Sequence, residues 1–197
     1  SEYNSSIASN GLTSARHDVF DHHYASKYPE TYSPEIPESV VYCGSKSLTD
    51  EIDAGNEKIP VGKLVLSPTR TYMPVLKPVI DTYRKHINGI IHCSGGGQTK
   101  VSKFMPGDIS IIKDNLFEIP PLFSLIQAES GLSWSEMFQV FNMGHRMEIY
   151  LPDRSAAEEI ISISQSFGVD AKIVGEVRPA DRPSVCIRHK GTTVTYE

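Results

Sequence analysis

No stretch of this chain approaches the ~20 consecutive apolar residues needed to cross a bilayer, and no signal-peptide pattern opens it. Cysteine is scarce. Cys43, Cys93 and Cys186 are odd in number, far apart and without CxxC spacing, which argues against a disulfide frame or a zinc site and for reduced thiols in a cytoplasmic protein. Positive charge is not in excess either: 19 basic against 24 acidic residues leave a net charge of −5. A nucleic-acid or anionic-membrane partner would normally meet a basic face, so neither is expected. The chain also lacks Walker A and GxGxxG spacings, a Ser-His-Asp order, a paired-carboxylate signature, internal repeats and low-complexity tracts.

What is present is enough for a core. The 197 residues are 39% hydrophobic, which suits one large domain or two small ones. The chain opens at Ser1 without an initiator methionine and runs at once into a helix signal, so it is expected to be a piece of something longer. Ser14 reads as an N-cap, with Ala15, Val19, Phe20 and His23 on one helical face. Residues 28–63 form a loop-rich insertion in which Pro29, Pro34 and Pro37 forbid helix and "SVVYCG" is a short strand.

Further along, "LVLSPTRTYMPVLKPVIDTYRKH" predicts a strand end, a Ser-Pro turn and a helix with Pro74 in its first turn. "INGIIHCS", "DISIIKD", "RMEIYLP" and "AKIVGEV" read as strands, and "SVCIRHKGTTVTYE" as a closing hairpin. "IPPLFSLIQAES" is a helix ending before Gly131. Ser133 and Glu136 form a capping box, and "DRSAAEEIISISQSFG" is a helix with Gly168 just past its end. The alternation predicts an α/β fold of the α+β kind, a layered sandwich with a mixed β-sheet covered by helices.

Several short motifs can each be a site or plain structure. Gly95, Gly96 and Gly97 follow a strand, where glycine admits positive φ and lets backbone N–H groups approach an anion; a tight turn explains them equally well. His92 sits in that strand, near a sheet end where ligands dock or as a core histidine, while Cys93 alternates to the other face as buried filler. "SPTRTY" offers Thr69 and Arg70, an anion clamp or a surface ion pair. "SNGLTSAR" clusters Ser9, Asn10, Gly11, Thr13 and Ser14 as an anion nest or a simple cap. "FNMGHRM" places Asn142, Gly144 and Arg146 at a helix-to-strand junction that a C-cap turn also explains.

Taken together, "SNGLTSARHDVF", "LSPTRTY", "IIHCSGGG", "PPLFSLIQ", "EMFQVFNMG" and "IVGEV" occur in the order and rough spacing of one family. The chain resembles the C-terminal half of aminoimidazole ribonucleotide synthetase, the phosphoribosylformylglycinamidine cyclo-ligase of purine biosynthesis. The resemblance covers nearly all of the chain. It implies a single substrate-side domain over residues 1–197 whose ATP-binding N-terminal half is not included, and ATP and Mg²⁺ held mostly by that half. It also implies a homodimer at full length, a small nucleotide substrate, and inactivity of this chain alone.

Carried over position by position, the substrate and phosphate contacts fall on Asn10, Gly11, Thr13, Ser14, Thr69, Arg70, His92, Ser94, Gly95, Gly96, Gly97, Asn142 and Gly144, with no residue marked as a general base. The chain departs from the family pattern at Ala15, Arg16, Lys100, Val101, His145 and Arg146, changes expected to add positive charge around a phosphate. Related ATP-dependent enzymes (selenophosphate synthetase, thiamine-phosphate kinase, formylglycinamidine synthase) and a non-catalytic nucleotide-binding module remain open alternatives.

Overall fold

A computed structural model describes residue 7 and residues 11–55, 57–68 and 70–197. In chain order the elements are α1 (Leu12–Val19), α2 (His23–Lys27), β1 (Glu51–Asp53), β2 (Lys58–Pro60), α3 (Val61–Val65), α4 (Met73–Tyr83), β3 (Gly89–His92), β4 (Ile109–Lys113), α5 (Pro121–Ser130), α6 (Trp134–Val140), β5 (Met147–Tyr150), α7 (Ala157–Ser166), β6 (Gly175–Pro179), β7 (Ser184–His189) and β8 (Thr192–Tyr196). The chain divides into two compact units. One comprises Ser1–Thr69, Ser94–Gln98 and Glu118–Gly144; the other comprises Arg70–Cys93, Thr99–Phe117 and His145–Glu197.

The first unit is mainly helical. Ala15 and Val19 of α1, Leu64 of α3, Leu122, Phe123 and Ile126 of α5 and Met137 and Phe138 of α6 form its core, all nearly or fully buried. The Phe123 and Phe141 rings lie 5.8 Å apart within it. Helix α5 starts on a proline whose missing N–H costs nothing there, and stops at left-handed Gly131. Helix α6 starts at the capping box read from the sequence: Ser133 accepts from the Glu136 amide while the Glu136 carboxylate accepts from the Ser133 amide.

The connecting segment after α2 is tied down by polar contacts rather than by a sheet. The Tyr42 amide donates to Nδ1 of buried His17, the Cys43 amide to the His17 carbonyl, and the Ser45 amide and hydroxyl to the Glu129 carboxylate at 2.9 Å each.

The second unit holds the longer strands. β3 pairs antiparallel with β5, with Ile90 opposite Ile149 and His92 opposite Met147. A four-stranded sheet runs in the order β6-β4-β7-β8, with β4 and β7 parallel and the other pairs antiparallel, so it is mixed as expected. Val75 and Val79 of α4 and Ala156 and Ile160 at α7 pack together, with Ile149 of β5 against them, which layers helices on strands. β7 and β8 are joined by Lys190 and Gly191, both at positive φ as a two-residue hairpin requires. The fold is therefore mixed α/β.

Several local expectations fail for identifiable reasons. Ser14 is not the N-cap of α1: Gly11 holds that position at φ 100°, and the Ser14 hydroxyl donates inside the helix to Asp18. His23 is exposed, because α1 ends at Val19 and the face does not continue. "SVVYCG" is not a strand. It begins as a 3₁₀ turn over Glu38–Val40, Tyr42 sits at φ 54°, and only Gly44 makes an isolated bridge, to Asp21. "LVL" after residue 63 closes helix α3 rather than ending a strand, and β1–β2 form a small hairpin where a loop is expected. The "AKIVGEV" strand starts late, at Gly175, because the Val174 carbonyl is taken by the Asp114 and Asn115 amides. Phe167, whose spacing from Ile160 and Ile163 in "DRSAAEEIISISQSFG" predicts burial, is exposed.

Replacing Ser133 by Ala should cost about 1 kcal/mol of stability through the lost cap. Urea unfolding followed by far-UV circular dichroism measures it.

Candidate functional site

Three of the motifs meet inside the first unit, around the turn that leaves α6. A Cβ on Gly11 would strike the Phe141 ring, and one on Gly97 would strike the Phe141 and Phe138 carbonyl oxygens. Gly97 also sits at φ 50°, where an L side chain is strained. The two glycines are thus required by close approach from two directions to one residue. Gln98, fully buried, donates its amide N–H to the Asn142 carbonyl. The buried Asn142 side chain accepts from the Gly144 amide at 3.0 Å, an Asx turn that sets the course of the chain after α6.

Met143 at φ 54° and Gly144 at φ 110° complete that turn. Gly95 and Gly96 are also at positive φ, followed by a 3₁₀ segment over Gly97–Lys103. Ser94 is half-buried and Thr13 exposed on α1. Asn10, Ser9 and Thr69 lie outside the described residues.

The other carried-over positions belong to the second unit. His92 is exposed at the end of β3. Arg70 is exposed and donates from Nη1 to the Gly168 carbonyl, 3.1 Å away, at the end of α7. His145 and Arg146 do not add positive charge to a phosphate site as their departure from the family pattern predicts. Both are buried, and both are spent inside the unit. Arg146 Nε donates to the Tyr72 hydroxyl at 3.1 Å, and its guanidinium lies 5.3 Å from the Tyr72 ring centroid, a cation–π distance.

His145 belongs to a buried cluster that no motif announced. Its Nε2 donates to Glu148 Oε1 at 2.8 Å, the tautomer following from a carboxylate that can only accept. The same oxygen accepts from Lys113 Nζ, and the Tyr150 hydroxyl donates to Oε2 at 2.6 Å. Lys113 and Glu148 are 2% and 4% exposed at their side chains, so the pair lies almost wholly out of water. Burial alone pushes the Glu148 carboxyl up, but the Lys113 ammonium and the His145 N–H outweigh it and hold the group far below the usual carboxylate range.

Burial raises the Cys93 thiol strongly, with the Glu148 charge adding to the effect, and burial and the same charge raise Tyr150. Cys93 is therefore a protonated, buried thiol, matching its reading as filler rather than nucleophile.

The thiol of Cys93, the His145 ring and the Glu148 carboxylate lie within 4.8 Å of one another. Sulfur, nitrogen and oxygen together suit a thiophilic cation and not the all-oxygen octahedron of Mg²⁺. The positive charge facing that carboxylate belongs to Lys113. The sequence carried a signal for one member: Lys113 ends "ISIIK" on the face of Ile109 and Ile111, an ionisable residue on an apolar face, whereas alternation in "MEIY" puts Glu148 opposite Met147 and Ile149 and gives no sign of its burial.

Comparison with known proteins identifies the family of the chain. Residues 39–188 match the family model described as AIR synthase related protein, C-terminal domain. A phosphoribosylformylglycinamidine cyclo-ligase of Methanococcus vannielii is 37% identical over 127 residues, 62% of this chain and 35% of that protein. One from Syntrophus aciditrophicus is 32% identical over 145 residues, 72% of this chain and 40% of that protein. The chain thus spans well under half the length of these relatives. Among solved structures, E. coli HypE, a hydrogenase maturation protein, aligns with a TM-score of 0.47 at 21% identity, over 65% of this chain and 40% of that one.

Two outcomes follow. Gly97→Ala should destabilise the chain by about 1–3 kcal/mol or displace the turn after α6, through its positive φ and the Phe141 carbonyl; thermal unfolding measures the first and the Asn142 and Gly144 amide shifts the second. Because the folded-state pKa of Glu148 is depressed, the stability it contributes is present above its ordinary value of 4.5 and is lost as pH falls below it. Glu148→Gln should flatten the acid limb of stability against pH, and should cost about 3–5 kcal/mol at neutral pH by removing the buried charge that faces the Lys113 ammonium.

Proposed function

The chain belongs to the AIR synthase related family through its C-terminal domain, and from that membership we propose that it forms the substrate-side part of a phosphoribosylformylglycinamidine cyclo-ligase of purine biosynthesis. The reaction uses ATP to transfer a phosphoryl group to the formyl amide oxygen of formylglycinamidine ribonucleotide. That oxygen then leaves as phosphate when an internal nitrogen attacks the same carbon. A C–N bond forms, the C–O bond breaks, the nitrogen sheds a proton, and the aminoimidazole ring closes. The enzyme's task is to turn a poor leaving group into a good one and to hold the nucleophile close.

The observation that carries this reading is the meeting of Gly11, Gly97, Gln98 and Asn142 at one turn. Gly11 and Gly97 are required there by close approach to Phe141, and backbone that carries no side chains can also turn its N–H groups toward a phosphate. In this proposal Gly95, Gly96, Gly97 and Ser94 hold a substrate phosphate, with Gly11, Thr13, Ser14, Asn142 and Gly144 shaping the cradle and its ribose contacts, and Asn10 is assigned a substrate contact from the family resemblance alone. Thr69, Arg70 and His92 are assigned substrate contacts from the family resemblance alone, Arg70 as the charged one. ATP and Mg²⁺ are assigned mainly to a preceding half of a longer chain that works in the cytoplasm as a homodimer, which leaves the present chain inactive by itself.

Full-length protein should convert ATP and formylglycinamidine ribonucleotide to ADP, phosphate and aminoimidazole ribonucleotide, read by chromatography of the nucleotide products. Arg70→Ala should raise the KM for the ribonucleotide by about tenfold, the loss of about 1.4 kcal/mol of binding. Folded full-length protein that makes no ring-closed product, or that phosphorylates a different acceptor, sinks the proposal.

A further inference from the structure

In the second unit, a buried arginine holds the start of α4 and with it the exposed Arg70. We infer that Arg146 is a positioning residue for Arg70, acting through Tyr72. This rests on the assignment of Arg70 as an anion contact and extends it to a residue that never touches the ligand.

The geometry runs in one line. Arg70 is two residues before Tyr72, and Tyr72 is the N-cap of α4, its carbonyl accepting from the Val75 and Leu76 amides. The Tyr72 side chain is gripped twice by Arg146, by a hydrogen bond from Nε to its hydroxyl and by the guanidinium over its ring. Arg146 is itself fixed. Its carbonyl accepts from the Cys93 amide at 2.6 Å, and its neighbour His145 is bonded to the buried Glu148. Arg70 is anchored from the other side by the Gly168 carbonyl at the end of α7. An exposed arginine ordinarily has about 2 kcal/mol of rotamer entropy to lose on meeting an anion. Clamping the backbone two residues away and one N–H of its fork lowers that cost before a ligand arrives.

Stability alone is a poor account of Arg146. Only 3% of it is exposed, and taking a guanidinium out of water is costly enough that an apolar side chain of similar volume is often as good or better for folding. What leucine cannot supply is the directional bond to the Tyr72 hydroxyl together with the planar charge over the ring. Lysine keeps the charge and loses the fork.

The test is a double-mutant cycle in this chain, with inorganic phosphate as the probe in calorimetric titration. Arg70→Ala should weaken phosphate binding about tenfold. Arg146→Leu should weaken it several-fold while the chain stays folded, and Arg146→Lys should not restore it. The double variant should bind no worse than Arg70→Ala alone, because Arg146 acts only through Arg70. Additive losses in the double variant overturn the inference.

A second measurement decides it independently of the ligand. Hydrogen exchange at the Val75 and Leu76 amides, which donate to the Tyr72 carbonyl, should accelerate at least tenfold in Arg146→Leu, and in the milder Tyr72→Phe, while β4 and β7 remain protected. Unchanged exchange there overturns the inference even if phosphate binding falls. A wild-type chain that ignores phosphate instead removes the assignment of Arg70 as an anion contact, and the exchange measurement still tests the clamp.

Discussion

A single carboxylate organises the second unit. Glu148 is out of water and ionised, so it must be compensated on every side. Lys113 brings the charge from β4, His145 a ring N–H from the turn before β5, and Tyr150 a hydroxyl from two residues along the same strand. Cys93, next after β3, completes the contact set with its protonated thiol. An apolar core tolerates small shifts among its members. A buried charge with donors arriving from several chain segments does not, because losing one donor leaves the carboxylate exposed to a medium that cannot solvate it. The register of β3 against β5 and the placement of β4's last residue are therefore fixed with a precision that dispersion forces alone would not impose.

The first unit reaches the same end by removing side chains. Around Phe141 the backbone comes close enough from two directions that any Cβ at Gly11 or Gly97 would overlap it. Buried Gln98 and Asn142 then satisfy carbonyl and amide groups that such crowding would otherwise strand. One unit is held by a charge that must be answered and the other by space that must stay empty of side chains, and three of the family's motifs lie on the second device.

Legibility in the sequence followed locality. Helix α6 is announced by Ser133 and Glu136, whose reciprocal bonds span one turn, and α5 by Pro121 and Gly131 at its two ends. The β7–β8 hairpin is written in Lys190-Gly191. Ser14 misled because serine is both a favoured N-cap and, with Asp18 four residues on, half of an i,i+4 pair inside a helix, and Gly11 took the cap by adopting positive φ. "SVVYCG" misled because β-branched and aromatic residues promise a strand only where a partner strand exists, and here the partners of Tyr42 and Cys43 are the ring and carbonyl of His17. His145 and Arg146 read as positive charge around a phosphate, since nothing in a linear pattern says that a carboxylate three residues on, or a tyrosine 74 residues back, will accept from them.

The sequence by itself determined the family, the mixed α/β class, and the places where glycine, proline or a capping pair dictates the backbone, because those preferences act over four or five residues whatever lies around them. Only the tertiary structure decided which motifs share a place, that Gly11 and Gly97 are both fitted to Phe141, and that Lys113, His145 and Glu148 form one buried cluster. The physical reason is range. Steric limits on φ and the geometry of a helix cap are local. The cost of burying a charge, or of two backbones meeting, is incurred only when residues tens of positions apart are brought together.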